Sequence, residues 1–60
     1  MPSDYVATLQ RARENNILFF SDEELTPYLM QCVIYGLSNG FFKLHRFDNQ
    51  LLPGWDVEWL

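Results

Sequence analysis

The sequence predicts a small single domain of the α+β class, on three observations. Two segments combine helix-start residues with helical spacing of apolar residues, the apolar period changes to two after Gly40, and the chain has only 60 residues. A chain of this length builds one hydrophobic core at most, so we expect residues 1–60 to form one compact domain. The expected order of elements is helix, short strand, helical turn, helix and β-hairpin.

The first helix is predicted over residues 4–15. Ser3 is a suitable N-cap residue, and Tyr5 and Leu9 fall on one face of the helix. Two asparagines at its end favour the left-handed conformation that stops a helix. The apolar run over residues 17–20 is too short for a helix, and it predicts a short buried strand or an extended connection.

The segment that follows contains two helix starts. Ser21 and Glu24 form a capping box, which predicts a helical turn over residues 22–25. The Thr-Pro pair behind it is a second start signal, because proline fits the first turn of a helix, and it predicts a longer helix over residues 27–38. A single helix that begins at residue 22 stays open as the alternative.

The longer helix is apolar on every side. Gln31 and Ser38 are its only clearly polar residues, so it has no polar stripe. A helix of this kind is normally covered all round, and a 60-residue chain has few other elements with which to cover it. Gly36 inside the helix is tolerable if another backbone approaches it closely. We therefore expect part of this helix to contact another chain.

The last third of the chain has the pattern of two strands. Alternation predicts a strand over residues 41–47, turn residues follow, and a second strand is predicted over residues 55–60. We expect the two strands to form an antiparallel hairpin, with the second at the edge of the sheet. One face of this second strand is apolar and consists of Trp55, Val57 and Trp59. The other face is acidic and consists of Asp56 and Glu58.

This order of elements resembles the winged-helix family, a helix-turn-helix followed by a β-hairpin wing. The resemblance covers nearly the whole chain and lies in the order of elements, without a residue motif. In that family the second helix of the helix-turn-helix reads the major groove of DNA. Its counterpart here, residues 27–38, contains neither Lys nor Arg, whereas reading DNA requires polar side chains that reach phosphates and base edges. The sequence departs from the family at the element that would carry its function.

Composition argues against several classes of function. Eight acidic residues against four basic ones give a net charge of −4, so direct binding to nucleic acid is not expected. A single cysteine excludes an internal disulfide, and the first residues lack the pattern of a secretory signal, so we expect a cytoplasmic protein. No apolar run approaches the ~20 residues of a membrane span, and no membrane association is expected.

No catalytic, metal or cofactor site is expected. Cys32 and His45 are the one conceivable pair of nucleophile and base, but no orienting acid or oxyanion-hole motif accompanies them. Two such residues cannot by themselves hold a metal ion. The three glycines match no phosphate-binding motif. We therefore predict that the chain is not an enzyme.

The aromatic content points to a partner. Five Phe, three Tyr and two Trp in 60 residues are more than a core of this size needs. We predict a small acidic protein-binding module that regulates or inhibits a larger protein, such as a nucleic-acid-binding protein with a basic surface. This role is typical of accessory proteins of viruses and mobile elements. The residues expected to bind the partner are Trp55, Trp59, Asp56, Glu58, Tyr28 and Tyr35.

Two further expectations concern assembly and an alternative function. Because the last strand is expected at a sheet edge, where another strand can pair with it, a homo-oligomer is also expected. The alternative function is that of a dimeric DNA-binding regulator similar to winged-helix proteins. Its phosphate contacts would come from Arg11, Arg13, Lys43 and Arg46.

Overall fold

The computed structural model describes residues 2–60, which form two α-helices and a three-stranded antiparallel sheet. The elements in chain order are α1 (Pro2–Glu14), β1 (Phe19–Ser21), a 3-10 turn (Asp22–Glu24), α2 (Pro27–Ser38), β2 (Phe42–Phe47) and β3 (Gly54–Trp59). The α+β class and the order of elements are confirmed. Within residues 2–60, no helix is both long enough and apolar enough to cross a membrane.

Helix α1 begins earlier than predicted. It starts at Pro2, so Ser3 lies inside the helix and is not its N-cap. Proline is favoured in the first turn because its fixed φ suits the helix and its missing N–H would have no partner there. At the other end Asn16 has a φ of 55°, which is the left-handed conformation expected of an asparagine stop.

Two separate helical segments follow β1, so the alternative of one helix from residue 22 is wrong. The Glu24 N–H donates to Ser21 Oγ at 3.3 Å, and Glu24 Oε1 accepts from the Ser21 N–H at 3.1 Å, which completes the capping box. The extended conformation of Thr26 then interrupts the helix, as expected for a residue before proline. Thr26 Oγ1 accepts a hydrogen bond from the N–H of Leu29 and caps α2.

The sheet has the strand order β1-β3-β2. Strands β2 and β3 form the predicted antiparallel hairpin, with Leu44 opposite Val57. The prediction that the last strand lies at a sheet edge is wrong, since β1 pairs with the other side of β3 and places Phe20 opposite Trp55. This pairing gives hydrogen-bond partners to backbone groups of the short strand β1. The sequence pattern within each strand does not predict it, because the two segments are far apart in the chain. Strand β2 is therefore one edge of the sheet.

Both helices pack on one face of the sheet. The buried core that joins them consists of Leu9, Phe20, Cys32, Val33, Phe42 and Val57. Gly36 sits where a Cβ would lie 2.9 Å from Cζ of Phe42, so the missing side chain admits this ring against α2. The close approach expected at Gly36 is thus made by an aromatic ring and not by another backbone.

Candidate functional site

Helix α2 keeps a row of large apolar side chains exposed. Met30, Ile34 and Leu37 retain 39%, 50% and 46% of their accessible surface. Their spacing of four and three residues places them on one side of the helix. The helix contains no charged residue, so nothing on it offsets this apolar surface.

A groove of about 320 Å³ lies between this row and the sheet. Its remaining lining residues are Phe20, Leu25, Val33, Leu44 and Trp55, which come from all three strands, the segment after the 3-10 turn, and α2. All the lining side chains are apolar or aromatic. The groove is therefore a continuation of the core that the chain leaves open to solvent.

One end of the groove is fixed by an arginine. The guanidinium carbon of Arg46 lies 4.9 Å from the centre of the Trp55 ring, which is a cation–π geometry. Its two terminal nitrogens donate to both carboxylate oxygens of Asp22 at 2.7 and 2.9 Å, and Asp48 is a further partner at 3.2 Å. These hydrogen bonds from Arg46 lower the pKa of Asp22 and raise that of Arg46. Trp55 thus reaches the groove with its ring held in place.

The second predicted tryptophan has a different environment. The ring of Trp59 lies 5.1 Å from that of Phe42, against the core. Its Nε1–H donates to the backbone oxygen of Ile17 at 2.7 Å, so the polar atom of the indole has a partner within the fold. The structure gives Trp59 a contact that joins β3 to the chain after α1.

The two predicted acidic residues lie on the face of the sheet that points away from the helices. Asp56 is exposed there, and Glu58 Oε1 lies 2.8 Å from Nε2 of His45. This hydrogen bond with His45 lowers the pKa of Glu58. The structure therefore separates Trp55 from Asp56 and Glu58, and the three do not form one continuous surface.

The two predicted tyrosines join α2 to α1. The ring of Tyr5 lies 5.8 Å from that of Tyr28 and 5.9 Å from that of Tyr35. The Tyr28 hydroxyl is hydrogen-bonded to Thr8 Oγ1 at 3.0 Å, although the side chain remains about half exposed. Of the six residues expected at the partner site, only Trp55 lines the groove.

The sequence predicts that part of α2 contacts another chain, but it does not identify Met30, Ile34 and Leu37 as the exposed residues. The spacing of Met30, Ile34 and Leu37 places them on one side of the helix, but apolar residues on every other side of α2 make this side indistinguishable from the rest in the sequence. The structure also keeps Cys32 and His45 apart, because Cys32 is fully buried while His45 is exposed on the outer face of the sheet. Among residues 2–60, no cluster of three or more His, Cys, Asp or Glu side chains is arranged to hold a metal ion.

Comparison with known proteins gives no relative: no protein family, no curated protein and no solved structure matches the chain. The assignment of a function therefore depends on the chemistry of the groove and its surroundings.

Proposed function

We propose that this chain is a small acidic, non-enzymatic protein-binding module that regulates or inhibits a larger protein, and that the groove beside α2 is its binding site. The observation that supports this proposal most is the exposure of Met30, Ile34 and Leu37 next to an apolar groove. Contiguous exposed apolar surface is a liability for a soluble protein, and it commonly marks an interaction site.

The lining of the groove favours a protein over a small molecule. Small-molecule sites combine apolar walls with a few convergent polar groups that orient the ligand. Here every lining side chain is apolar or aromatic, and the charged groups of Asp22, Arg46 and Asp48 stand at one end. An apolar centre with a charged rim is the arrangement of a protein–protein interface.

The acidic residues bear on the charge of the partner. With a net charge of −4 the chain would associate faster with a basic surface, such as that of a nucleic-acid-binding protein. Asp22 and Glu24 are engaged by Arg46 and by the capping box, while Glu23 and Asp56 are exposed. The free, buried thiol of Cys32 fits a reducing compartment, which supports the proposed cytoplasmic location.

Binding of DNA by a dimer is less well supported by the contacts. Arg46 is held by two aspartates, and α2 offers no Lys or Arg. We therefore expect no binding to duplex DNA in an anisotropy titration at about 50 mM salt, where phosphate-driven binding is strong. Salt-dependent binding in that titration would favour the DNA-binding alternative.

The proposal is tested by capture of partners with two matched double variants. Ile34→Gln with Leu37→Gln changes the groove, and Leu51→Gln with Leu52→Gln changes two exposed leucines of the loop between β2 and β3, outside the groove. Captured proteins are quantified by mass spectrometry, and circular dichroism checks that each variant is folded. We expect the groove variant to lose about tenfold or more of a captured partner that the loop variant retains. Equal capture by a folded groove variant would contradict the proposed site.

A further inference from the structure

Strand β2 lies beside the groove, and one of its two edges is not paired with another strand. The strand order places β3 on one side of β2, and within residues 2–60 no strand lies on its other side. Leu44 of β2 is itself a lining residue of the groove. An unpaired strand edge and an apolar groove therefore adjoin each other.

The hydrogen-bond pattern shows which backbone groups face the free edge. The N–H of Leu60 donates to the oxygen of Phe41 at 3.0 Å, and in an antiparallel ladder such bonded residues alternate along each strand. The backbone groups of Lys43, His45 and Phe47 consequently point to β3. Those of Phe42, Leu44 and Arg46 point away from it, toward the edge that has no strand beside it.

We propose that the partner binds as an extended segment that pairs with the free edge of β2, and that this segment alternates large apolar and acidic side chains. The inference rests on the proposed function and specifies the form and chemistry of the one segment of the partner that lies beside β2; the basic surface proposed above would lie elsewhere on the partner. In this binding mode the main-chain hydrogen bonds hold the segment, and pockets for alternate side chains select its sequence.

The apolar half of the pattern follows from the groove. A strand added to β2 lies about 4.8 Å away, so its inward side chains lie beside that of Leu44. They therefore meet the groove whose wall is formed by Met30, Ile34 and Leu37. Large apolar side chains at every second position would cover the row that the chain leaves exposed.

The acidic half follows from the outer face of β2. Lys43 and His45 are exposed on that face, and β3 places Glu58 and Asp56 opposite them. A strand on the free side faces the same two residues. An acidic side chain opposite the charge of Lys43 is favourable there, while His45 already has Glu58 as a hydrogen-bond partner. Strand β3 has the required pattern, since Trp55, Val57 and Trp59 alternate with Asp56 and Glu58.

A second copy of the chain fits this edge less well. Antiparallel pairing of two β2 strands keeps each side chain on its own face of the sheet. Lys43 would then face His45, Phe47 or another Lys43, and never an acidic side chain. Charge complementarity therefore favours a different chain with acidic residues at these positions.

The test uses a synthetic peptide with the sequence of residues 54–60, blocked at both ends, and the full isotope-labelled chain. Amide hydrogen exchange is followed by NMR as the peptide is added. We expect slower exchange at Leu44 and Arg46, whose amides face the free edge, with little change at Lys43 and His45, which already bond to β3. Absence of peptide binding, or binding without protection at Leu44 and Arg46, would overturn the proposal.

The acidic preference is tested with a second peptide in which both acidic residues are replaced by lysine. We expect it to bind about tenfold more weakly, since the attractive cross-strand pair with Lys43 becomes repulsive. The variant Lys43→Gln should reduce the difference in affinity between the two peptides, because it removes the positive charge of Lys43 without placing a like charge beside Glu58. Equal affinity of the two peptides for the unaltered chain would overturn the acidic pattern.

The outcomes separate this inference from the proposed function. If the peptide does not bind while the groove double variant still loses its captured partner, strand pairing is wrong and protein binding at the groove stands. If edge amides become protected in the chain alone as its concentration rises, and light scattering shows a dimer, the occupant is a second copy and the proposal is overturned.

Discussion

The two sides of helix α2 have the same apolar character and opposite environments. On one side Cys32, Val33 and Gly36 are buried in the core, with Gly36 against the ring of Phe42. On the other side Ile34 and Leu37 remain about half exposed. A helix that is apolar on every side is normally buried against other protein surface. Its composition does not show whether that surface belongs to the same chain.

The elements formed by residues 2–60 cover only part of α2. Helix α1 packs on α2 through Tyr5 and Leu9, and the sheet has only three strands, one of which is three residues long. No further helix or strand within residues 2–60 remains to cover the side of α2 beside β2. The exposed row of Met30, Ile34 and Leu37 therefore lies on the side of α2 against which no described helix or strand packs.

The largest expected effect concerns the ring that covers the inner side of α2. Phe42 is 2% exposed and contacts the rings of Phe20 and Trp59. We expect Phe42→Ala to lower the free energy of unfolding by about 3–5 kcal/mol, a large share of the stability of a small domain. Urea unfolding followed by circular dichroism measures this loss. Phe47→Ala, at a more exposed ring of the same strand, is the control and should cost clearly less.

Adjacent residues of α2 give the sharpest contrast between the two sides. Val33→Ala removes two buried methyl groups, and we expect it to cost about 2 kcal/mol of unfolding free energy. Ile34→Ala removes a larger but half-exposed side chain and introduces a better helix former, so it should cost less than about 1 kcal/mol. The urea midpoints of the two variants check this order. A larger loss for Ile34→Ala would mean that its side of α2 is part of the core.

Gly36→Ala tests the close packing of the inner side. A Cβ at this position would lie 2.9 Å from Phe42 Cζ and 3.2 Å from Leu9 Cδ1, which is tighter than ordinary contact. Overpacking costs about 1–3 kcal/mol, and the helix propensity of alanine recovers about 1 kcal/mol. We expect a net loss of about 1 kcal/mol in thermal or urea unfolding. A gain in stability would show that the core can move aside at this point.

The smallest effect concerns the ion pair at the end of the groove. Hydrogen bonds from Arg46 lower the pKa of Asp22 from its ordinary value of 3.8, so the pair stabilises the fold above that pH. As the pH falls from 3.8 to below the lowered pKa of the folded state, Asp22 becomes protonated and this contribution to stability is lost. Asp22→Asn should therefore reduce stability slightly at pH 7 and flatten its decline in acid, with Asp56→Asn as the control. A decline as steep as that of the unaltered chain would show that the pair contributes little.

Local signals in the sequence predicted the local structure well. The capping box at Ser21 and Glu24 and the start of α2 at Pro27 are short-range hydrogen-bonding and steric effects, and the structure confirms both. The alternation of β3 is also confirmed. These features depend on residues within a few positions of each other.

Contacts between distant segments were not predictable in the same way. The pairing of β1 with β3 joins residues more than thirty positions apart, and it places Trp55, which was expected at an edge, between two strands of the sheet. The bond of Trp59 to the backbone of Ile17 and the pairing of Arg46 with Asp22 are equally non-local. Because contacts within the fold engage most of the residues that were predicted to bind a partner, the candidate site is the exposed row of α2 and its groove.

The most direct test of the claim that a partner covers the exposed row is thiol labelling at position 34. Ile34→Cys introduces a reactive group there, while Cys32 is fully buried and contributes little background. In a captured complex we expect labelling at position 34 to be roughly tenfold slower than in the free chain, because the core of an interface excludes solvent. The thiol introduced by Leu51→Cys in the loop should react at the same rate in both. Equal labelling at position 34 in the complex and the free chain would contradict the claim.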